Sequence, residues 1–335
     1  MRRGLLTLLL ALALLAAAPA AHARSWAQPQ IKSVVEHGLM GPSVAKFRPG
    51  QPLTRADLGT AVANLTGKPQ VVVDPGRAVK LHQLDRALVR AVRLMGTARL
   101  FRRQLGAAGL RSPRRLGTEV VVRLLSLRTN HPAAKDFREL RPQDVVNRAE
   151  AAFSFARVLE LDNWQRSYVA DLASSFSLPA LTTWKKRVLG RAVRFVGYPY
   201  VWGGMSESGQ TLFGVTSRGG FDCSGFVWRV YKLQPFAGAP GLQSVLRGRT
   251  TYDMSAEFPK RKRIARKRLR PADLVFFGRR GPRSAPSEVD HMGIYLGRGW
   301  MIHSSGQGVT LVPMTGWYAD SFAWGRRVLR EAGLS

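Results

Sequence analysis

RGGFDCSGFVWRVY, residues 218 to 231, holds the only cysteine of the 335-residue chain. Its reading decides the fold of the C-terminal half. Asp222 and Ser224 flank the thiol, and Phe226, Val227, Val230 and Leu233 follow at helical spacing. A helix starting near Cys223 therefore buries one face and leaves the sulfur at its N-terminus. Unpaired backbone N–H groups and the positive end of the helix dipole favour thiolate there. Such sites lower a thiol pKa from about 8.5 into the range of roughly 3.5 to 7.5. Gly219, Gly220 and Gly225 let backbone and substrate approach closely. A free cysteine is most often a small core residue. One that starts a helix after two glycines, between Asp and Ser, fits a core poorly.

A thiol nucleophile needs a base. Of the six histidines, only His291 and His303 lie in the same half of the chain as Cys223. They sit in VDHMGIYLGRGWMIHSS, which predicts a hairpin with strands 289–296 and 300–304 joined by 297–299. In that register 291 faces 305, so His291 and His303 share a face, diagonally offset by roughly 7–8 Å between Cα atoms. A two-residue loop would separate them onto opposite faces. On one face, His291 takes the thiol proton and holds an ion pair, and His303 orients His291. The thiolate then attacks an amide carbonyl, and the Cys223 N–H is the natural oxyanion donor. No CxxC or HExxH pattern occurs, so no metal or other cofactor is expected.

The N-terminus points outside the cytoplasm. Arg2 and Arg3 precede an apolar run, Leu5 to Ala18, broken by Pro19, and Ala21-His22-Ala23 supplies a cleavage site. Residues 1–23 are expected to be a signal peptide, too short to span a bilayer, so no transmembrane anchor is expected after cleavage. The chain is expected to be secreted and cell-wall associated. It carries 52 Lys+Arg against 21 Asp+Glu, a formal charge of +31. Such a field attracts polyanions. Outside the membrane these are wall polymers and anionic lipid head groups rather than nucleic acid. The arginine bias also fits a genome rich in G and C. A hydrophobic fraction of 45% supports folded cores, and the length suits two domains. One cysteine excludes an internal disulfide.

In the first half, Ile31, Val34, Val35 and Leu39 recur at helical spacing, and Phe47-Arg48-Pro49-Gly50 is a turn. Thr54 caps a second helix, with Asp57 three residues on. Leu116-Gly117-Thr118 echoes Leu58-Gly59-Thr60, and Asn147-Arg148-Ala149-Glu150 echoes Thr54-Arg55-Ala56-Asp57. This predicts three weak copies of a helix–loop–helix over 26–163, the second at 114–128 and the third at 136–161. The pattern resembles S-layer homology repeats. The resemblance implies that Arg55, Asp57, Arg148 and Glu150 bind an anionic secondary wall polymer. A helical domain that keeps the fold without the ligand fits the same residues.

Residues 164–183 read as a helix end and a linker. From 184 the pattern becomes α+β, with short runs DLVFFG, HMGIYLG, WMIHSS and GVTLVPM. YPYVWGG, GGFDCSGFVWRVY, RPADLVFFG, DHMGIYLG and MIHSS occur in the order and spacing of NlpC-type papain-like cysteine peptidases of bacterial cell walls. Over 184–332 the resemblance implies a papain-like α+β domain, with a Cys-bearing helix packed on an antiparallel sheet, preceded by the all-α repeat domain. It implies Cys223 as nucleophile, His291 as base and His303 as third polar residue. Tyr200 stands near the oxyanion site, and Asp222 and Ser224 hold the substrate peptide. The implied substrate is a stem peptide of peptidoglycan, cut at the D-glutamyl–diaminopimelyl bond or a nearby amide. Residues 205–218 form a longer insertion than minimal members carry, and it could line the cleft. Two rival readings use the same residues: an envelope amidase or acyl transferase, and a wall-binding protein with an idle hydrolase domain. Residues 260–270 hold eight basic side chains, which read as a docking strip or as a solvated edge.

Overall fold

The structure is a computed structural model that describes residues 25–334; the expected signal peptide lies outside the described residues. The N-terminal half is helical: α1 Gln28–Glu36, α2 Arg55–Thr66, α3 Leu81–Ala91, α4 Met95–Ala107, α5 Leu116–Leu124, α6 Arg148–Leu159, α7 Asn163–Ser175 and α8 Thr183–Val193. The C-terminal half adds α9 Cys223–Tyr231, α10 Leu242–Val245, α11 Thr251–Ala256, α12 Trp317–Asp320 and α13 Val328–Glu331. Its strands are β1 Met205–Ser206, β2 Gln210–Leu212, β3 Val215–Ser217, β4 Gly220–Phe221, β5 Leu274–Gly278, β6 Val289–Gly297, β7 Trp300–Ser305, β8 Gly308–Pro313 and β9 Phe322–Arg326. Among the described residues no helix is long and apolar enough to cross a membrane.

Three extended segments, 49–56, 75–82 and 142–149, close into a ring. The Leu53 N–H donates to Val146 O at 2.8 Å, Val146 to Val79 O at 2.9 Å, and Val79 back to Leu53 O at 2.8 Å. The next turn of the ring repeats it: Arg55 to Arg77 O, Leu81 to Asp144 O and Arg148 to Gln51 O, each at 2.9 Å. Each segment runs directly into a helix, respectively α2, α3 and α6. Thr54 Oγ1 caps the Asp57 N–H at 3.1 Å and Asn147 Oδ1 caps that of Glu150 at 2.9 Å. Such caps contribute about 1 kcal/mol each.

The ring corrects the expected position of the second copy. That copy enters the ring at Lys80-Leu81-His82-Gln83, where the Arg and the acidic residue of the motif are missing. Leu116-Gly117-Thr118 instead opens α5, which matches α1 rather than α2. Both helices have nine residues and end at a left-handed residue, Gly38 or Ser126. The shared glycine was a packing coincidence: a Cβ on Gly117 would lie 1.9 Å from Ala98 O, so it admits α4.

The expected linker at 164–183 is also corrected. Val169, Ala173 and Phe176 bury one side of α7 and its end. Phe176 packs at a tilt on Phe101 (ring centroids 5.3 Å) and edge-to-face on Trp300 of β7 (4.8 Å). Such aromatic pairs add about 0.5–1.5 kcal/mol each beyond burial. One apolar core therefore runs from the helical half into the sheet half.

The main sheet is antiparallel in the order β8-β7-β6-β5-β9. β6 and β7 pair Ile294 with Ile302 and Tyr295 with Met301, the register expected from sequence. The connection differs from expectation. The turn has two residues, Arg298 and Gly299, both at positive φ, and a bulge between Tyr295 and Gly297 restores the register. α9 packs on one face of the sheet. The insertion folds into β2–β3, and β3 lies against the short 3-10 turn Ala133–Arg138 of the helical half. The basic strip runs along the edge strand: Ile264 and Gly325 exchange both backbone hydrogen bonds, at 3.0 and 2.7 Å.

Candidate active site

α9 begins at Cys223 because Asp222 precedes it in extended conformation and its carboxylate accepts the Gly225 N–H. Gly225 has no substitute, since a Cβ there would sit 1.9 Å from Gly204 O. Phe226, Val227, Val230 and Tyr231 are buried on the sheet side, which fixes the helix and aims Cys223 at β6. The sulfur lies 3.5 Å from Thr251 Oγ1, at the start of α11. The backbone N–H groups of Ser224 and Met292 also point at it, and Met292 is the neighbour of His291. His291 Nε2 and His303 Nδ1 are 2.7 Å apart, so the shared face expected from the hairpin exists. Phe277, Trp317 and Tyr318 surround His291, with ring centroids at 5.8, 6.2 and 6.1 Å. The His303 ring meets Tyr318 edge-on at 5.2 Å, and its Nε2 has no partner among the described residues.

The electrostatics depart from the expected ion pair. Burial pushes the Cys223 thiol up to about 11, and the Asp222 carboxylate adds to this; the Thr251 hydroxyl and the two N–H groups act against it. Burial pulls His291 down to about 4. Burial, and then His291, hold His303 well below the ordinary imidazole value. At neutral pH the resting pair is a thiol and a neutral imidazole. The first physical reason is burial of both groups, and the second is that Asp222 caps the helix N-terminus beside the sulfur. The dipole stabilises that carboxylate, whose own charge then disfavours thiolate.

Tyr200 lies on the segment 199–202, which runs beside β4 through a parallel bridge to Phe221. Its hydroxyl is raised by burial and then by Cys223, Asp222 and Asp136, which places it among them. Asp222 and Ser224 are not free. Arg249 Nη1 donates to Ser224 Oγ at 2.7 Å and lies 3.3 Å from Asp222 Oδ1, while its Nη2 donates to Gly203 O at 2.8 Å. Thr251 and Arg249 escaped sequence reading, although Thr250-x-x-Asp253 is a capping box that marks the start of α11. Trp317 and Tyr318 left no sequence signal. Among the described residues no group of three His, Cys, Asp or Glu side chains is placed to hold a metal ion.

The four residues expected to bind wall polymer are not equivalent. Arg148 Nη1 meets Asp57 Oδ1 at 2.6 Å, and its Nε donates to Phe47 O at 2.8 Å. Glu150 Oε1 meets His131 Nε2 at 2.9 Å. Arg55 pairs with Asp74 at 3.2 Å, and both it and Asp57 are partly open to solvent. Arg148 also lines a cleft of about 1020 Å³ with Lys46, Phe47 and Arg48.

A helix-borne thiol set against two histidines of an antiparallel sheet defines a papain-like domain. Residues 197–328 match the NlpC/P60 family, and residues 20–58 match the S-layer homology domain. The murein DD-endopeptidase MepH of Escherichia coli is 31% identical over 152 residues, which cover 44% of this chain and 48% of that protein. The γ-D-glutamyl-L-lysine dipeptidyl-peptidase of Bacillus cereus is 29% identical, covering 40% of this chain and 34% of its own length. A solved NlpC/P60 family protein from Bacillus cereus aligns with a TM-score of 0.33 at 25% identity, covering 46% of this chain and 43% of that one. The chain spans about half or less of the length of these curated relatives.

Proposed function

We propose that the protein is a wall-associated cysteine peptidase that hydrolyses an amide of the peptidoglycan stem peptide. The observation that carries this reading is the convergence of Cys223, Thr251 and the hydrogen-bonded His291–His303 pair on one face of the sheet. With both rings neutral, His291 Nε2–H donates to His303 Nδ1, which leaves His291 Nδ1 as the open acceptor. The thiol gives its proton to that nitrogen as the sulfur attacks the amide carbon. The proton must leave the sulfur by the time the new bond forms, because burial favours the neutral thiol in the resting state. The Cys223 N–H and the Tyr200 hydroxyl stabilise the oxyanion. His291 then protonates the leaving amine, and it deprotonates the water that releases the acyl group from sulfur.

The bond cut is a D-glutamyl–diaminopimelyl amide or one beside it. Names of relatives support that neighbourhood, since they include a γ-D-glutamyl-L-lysine dipeptidyl-peptidase and a probable peptidoglycan endopeptidase. Asp222, Ser224 and Arg249 form a charged wall that holds the peptide. The helical half retains the enzyme on anionic wall polymer, with Arg55 and Arg148 as cationic contacts beside Asp57 and Glu150. The test is to incubate the protein and its Cys223→Ala variant with peptidoglycan and defined muropeptides, and to identify products by mass spectrometry. New fragments with the native protein alone establish the peptidase and name the bond. Firm wall binding by both without fragments favours the binding-protein reading, and products that need an amine acceptor favour the transferase.

A further inference from the structure

The segment 199–202 has two edges. One edge is held by its own domain: Phe221 donates to Pro199 O at 3.1 Å and Val201 donates to Phe221 O at 3.3 Å, and Phe221 leads directly into Asp222 and Cys223. The other edge is held from the helical half. Asn130 Nδ2 donates to Tyr200 O at 3.2 Å, and the Trp202 N–H donates to Asp136 Oδ2 at 3.0 Å. These two side chains satisfy alternate backbone groups, as a neighbouring strand would. They are themselves fixed. Asn130 Nδ2 also donates to Glu139 Oε1 at 2.9 Å, which accepts the His131 N–H at 2.6 Å. Asp136 is buried, and the Glu139 N–H donates to its backbone oxygen at 3.1 Å.

We infer that Asn130 and Asp136 are positioning residues of the active site: from the helical half they set the backbone that carries Tyr200. The helical half is then a working part of the catalytic unit as well as an anchor. This rests on the reading of Tyr200 as an oxyanion contact. A shift of that hydroxyl by a fraction of an ångström weakens transition-state contact and leaves ground-state binding nearly intact. Thr251, Met292 and the His291–His303 pair are held by other elements, so the thiol itself is unaffected.

The experiment uses the full chain with Asn130→Ala, Asp136→Ala and Asp136→Asn. Turnover of a muropeptide is measured per folded chain, counted from the amplitude of the urea unfolding transition of each variant. Each alanine variant is expected to lose about 10-fold in kcat with KM changed by about 2-fold or less. Asp136→Asn keeps a carbonyl acceptor for the Trp202 N–H and recovers most of the loss. Native kcat in both alanine variants overturns the inference, as does an Asp136→Asn variant no better than Asp136→Ala. Hydrogen exchange supplies a readout independent of activity. Amides of 200–204 are expected to exchange faster in Asp136→Ala than in Asp136→Asn, with α9 unchanged. If the native protein hydrolyses nothing, the peptidase reading fails. Exchange then decides the positioning role alone, and equal exchange in all variants overturns it.

Discussion

Arg128 in the helical half and His303 in the sheet half are both sealed from water, and they are handled in opposite ways. Arg128 stays charged because it is partnered. Its guanidinium meets the buried Asp85 carboxylate and donates to Ser154 Oγ at 3.0 Å. Burial still pulls it down to about 9, with Glu150 opposing. His303 has no opposite charge beside it, only the second imidazole, and burial keeps it neutral. A buried charge holds a fold together through its partner. A buried neutral imidazole adds little to the fold, but it stands ready to share a proton.

The comparison breaks if the two residues respond alike. Arg128→Ala leaves Asp85 buried and unpaired, which costs about 3–5 kcal/mol. That is read as a lower urea midpoint at unchanged slope. His303→Asn removes no charge pair, so its midpoint moves much less. Its turnover is expected to fall by about 10²-fold or more, because His291 loses the group that orients it. Equal destabilisation by both substitutions would show that His303 is a structural residue.

Glu139 sharpens the same contrast, since it is a buried carboxyl that makes no direct ion pair among the described residues, with Arg123 acting on it only from a distance. It faces His131, Glu150 and Asn130, and burial raises it from about 4.5 to about 7. The sign follows from linkage. The folded state holds this proton to higher pH than the unfolded chain. The stability it contributes is full below about 4.5 and is lost as pH rises through about 7. The slope is on the order of 3 kcal/mol across that window. Glu139→Gln keeps an oxygen for Asn130 and His131 and stays neutral, so its stability is expected to be flatter from pH 4.5 to 7. An unchanged slope would place the titration on another group.

These behaviours mark what sequence reading reached. The Cys223 helix was legible because Asp222 is a capping residue and apolar spacing follows it. The His291–His303 register was legible from alternation, even though a bulge and not a three-residue loop maintains it. The start of α6 was legible because Asn147 caps it as Thr54 caps α2. The second copy was hidden, because its ring contacts are backbone hydrogen bonds that Leu81, His82 and Gln83 make as well as any motif residue. The thiol's charge state was not legible because its largest cause is burial, which depends on how α11 and β6 close over the sulfur. Arg249, Asn130 and Asp136 reach the site across long stretches of chain, and nothing in their local sequence marks that.

Exposed charge is the third regime, and the smallest effect belongs to it. Lys260, Arg261 and Lys262 are exposed and make no ion pair among the described residues, whereas Arg263 lies over the Trp324 ring at 3.4 Å. The four form one basic run in sequence, but they divide in the structure. Arg263 belongs to the fold, and its replacement by Gln is expected to cost about 0.5–2 kcal/mol of stability. The other three are free to meet a polyanion, and such exposed contacts contribute about 1 kcal/mol or less each. Replacing all three by Gln should weaken wall sedimentation by a factor of about 10 at physiological salt and leave stability unchanged. The difference from the native protein should fade as salt is raised, because only a screened interaction has been removed. Identical sedimentation of the two proteins across the salt series would assign these cations to protecting the β9 edge alone.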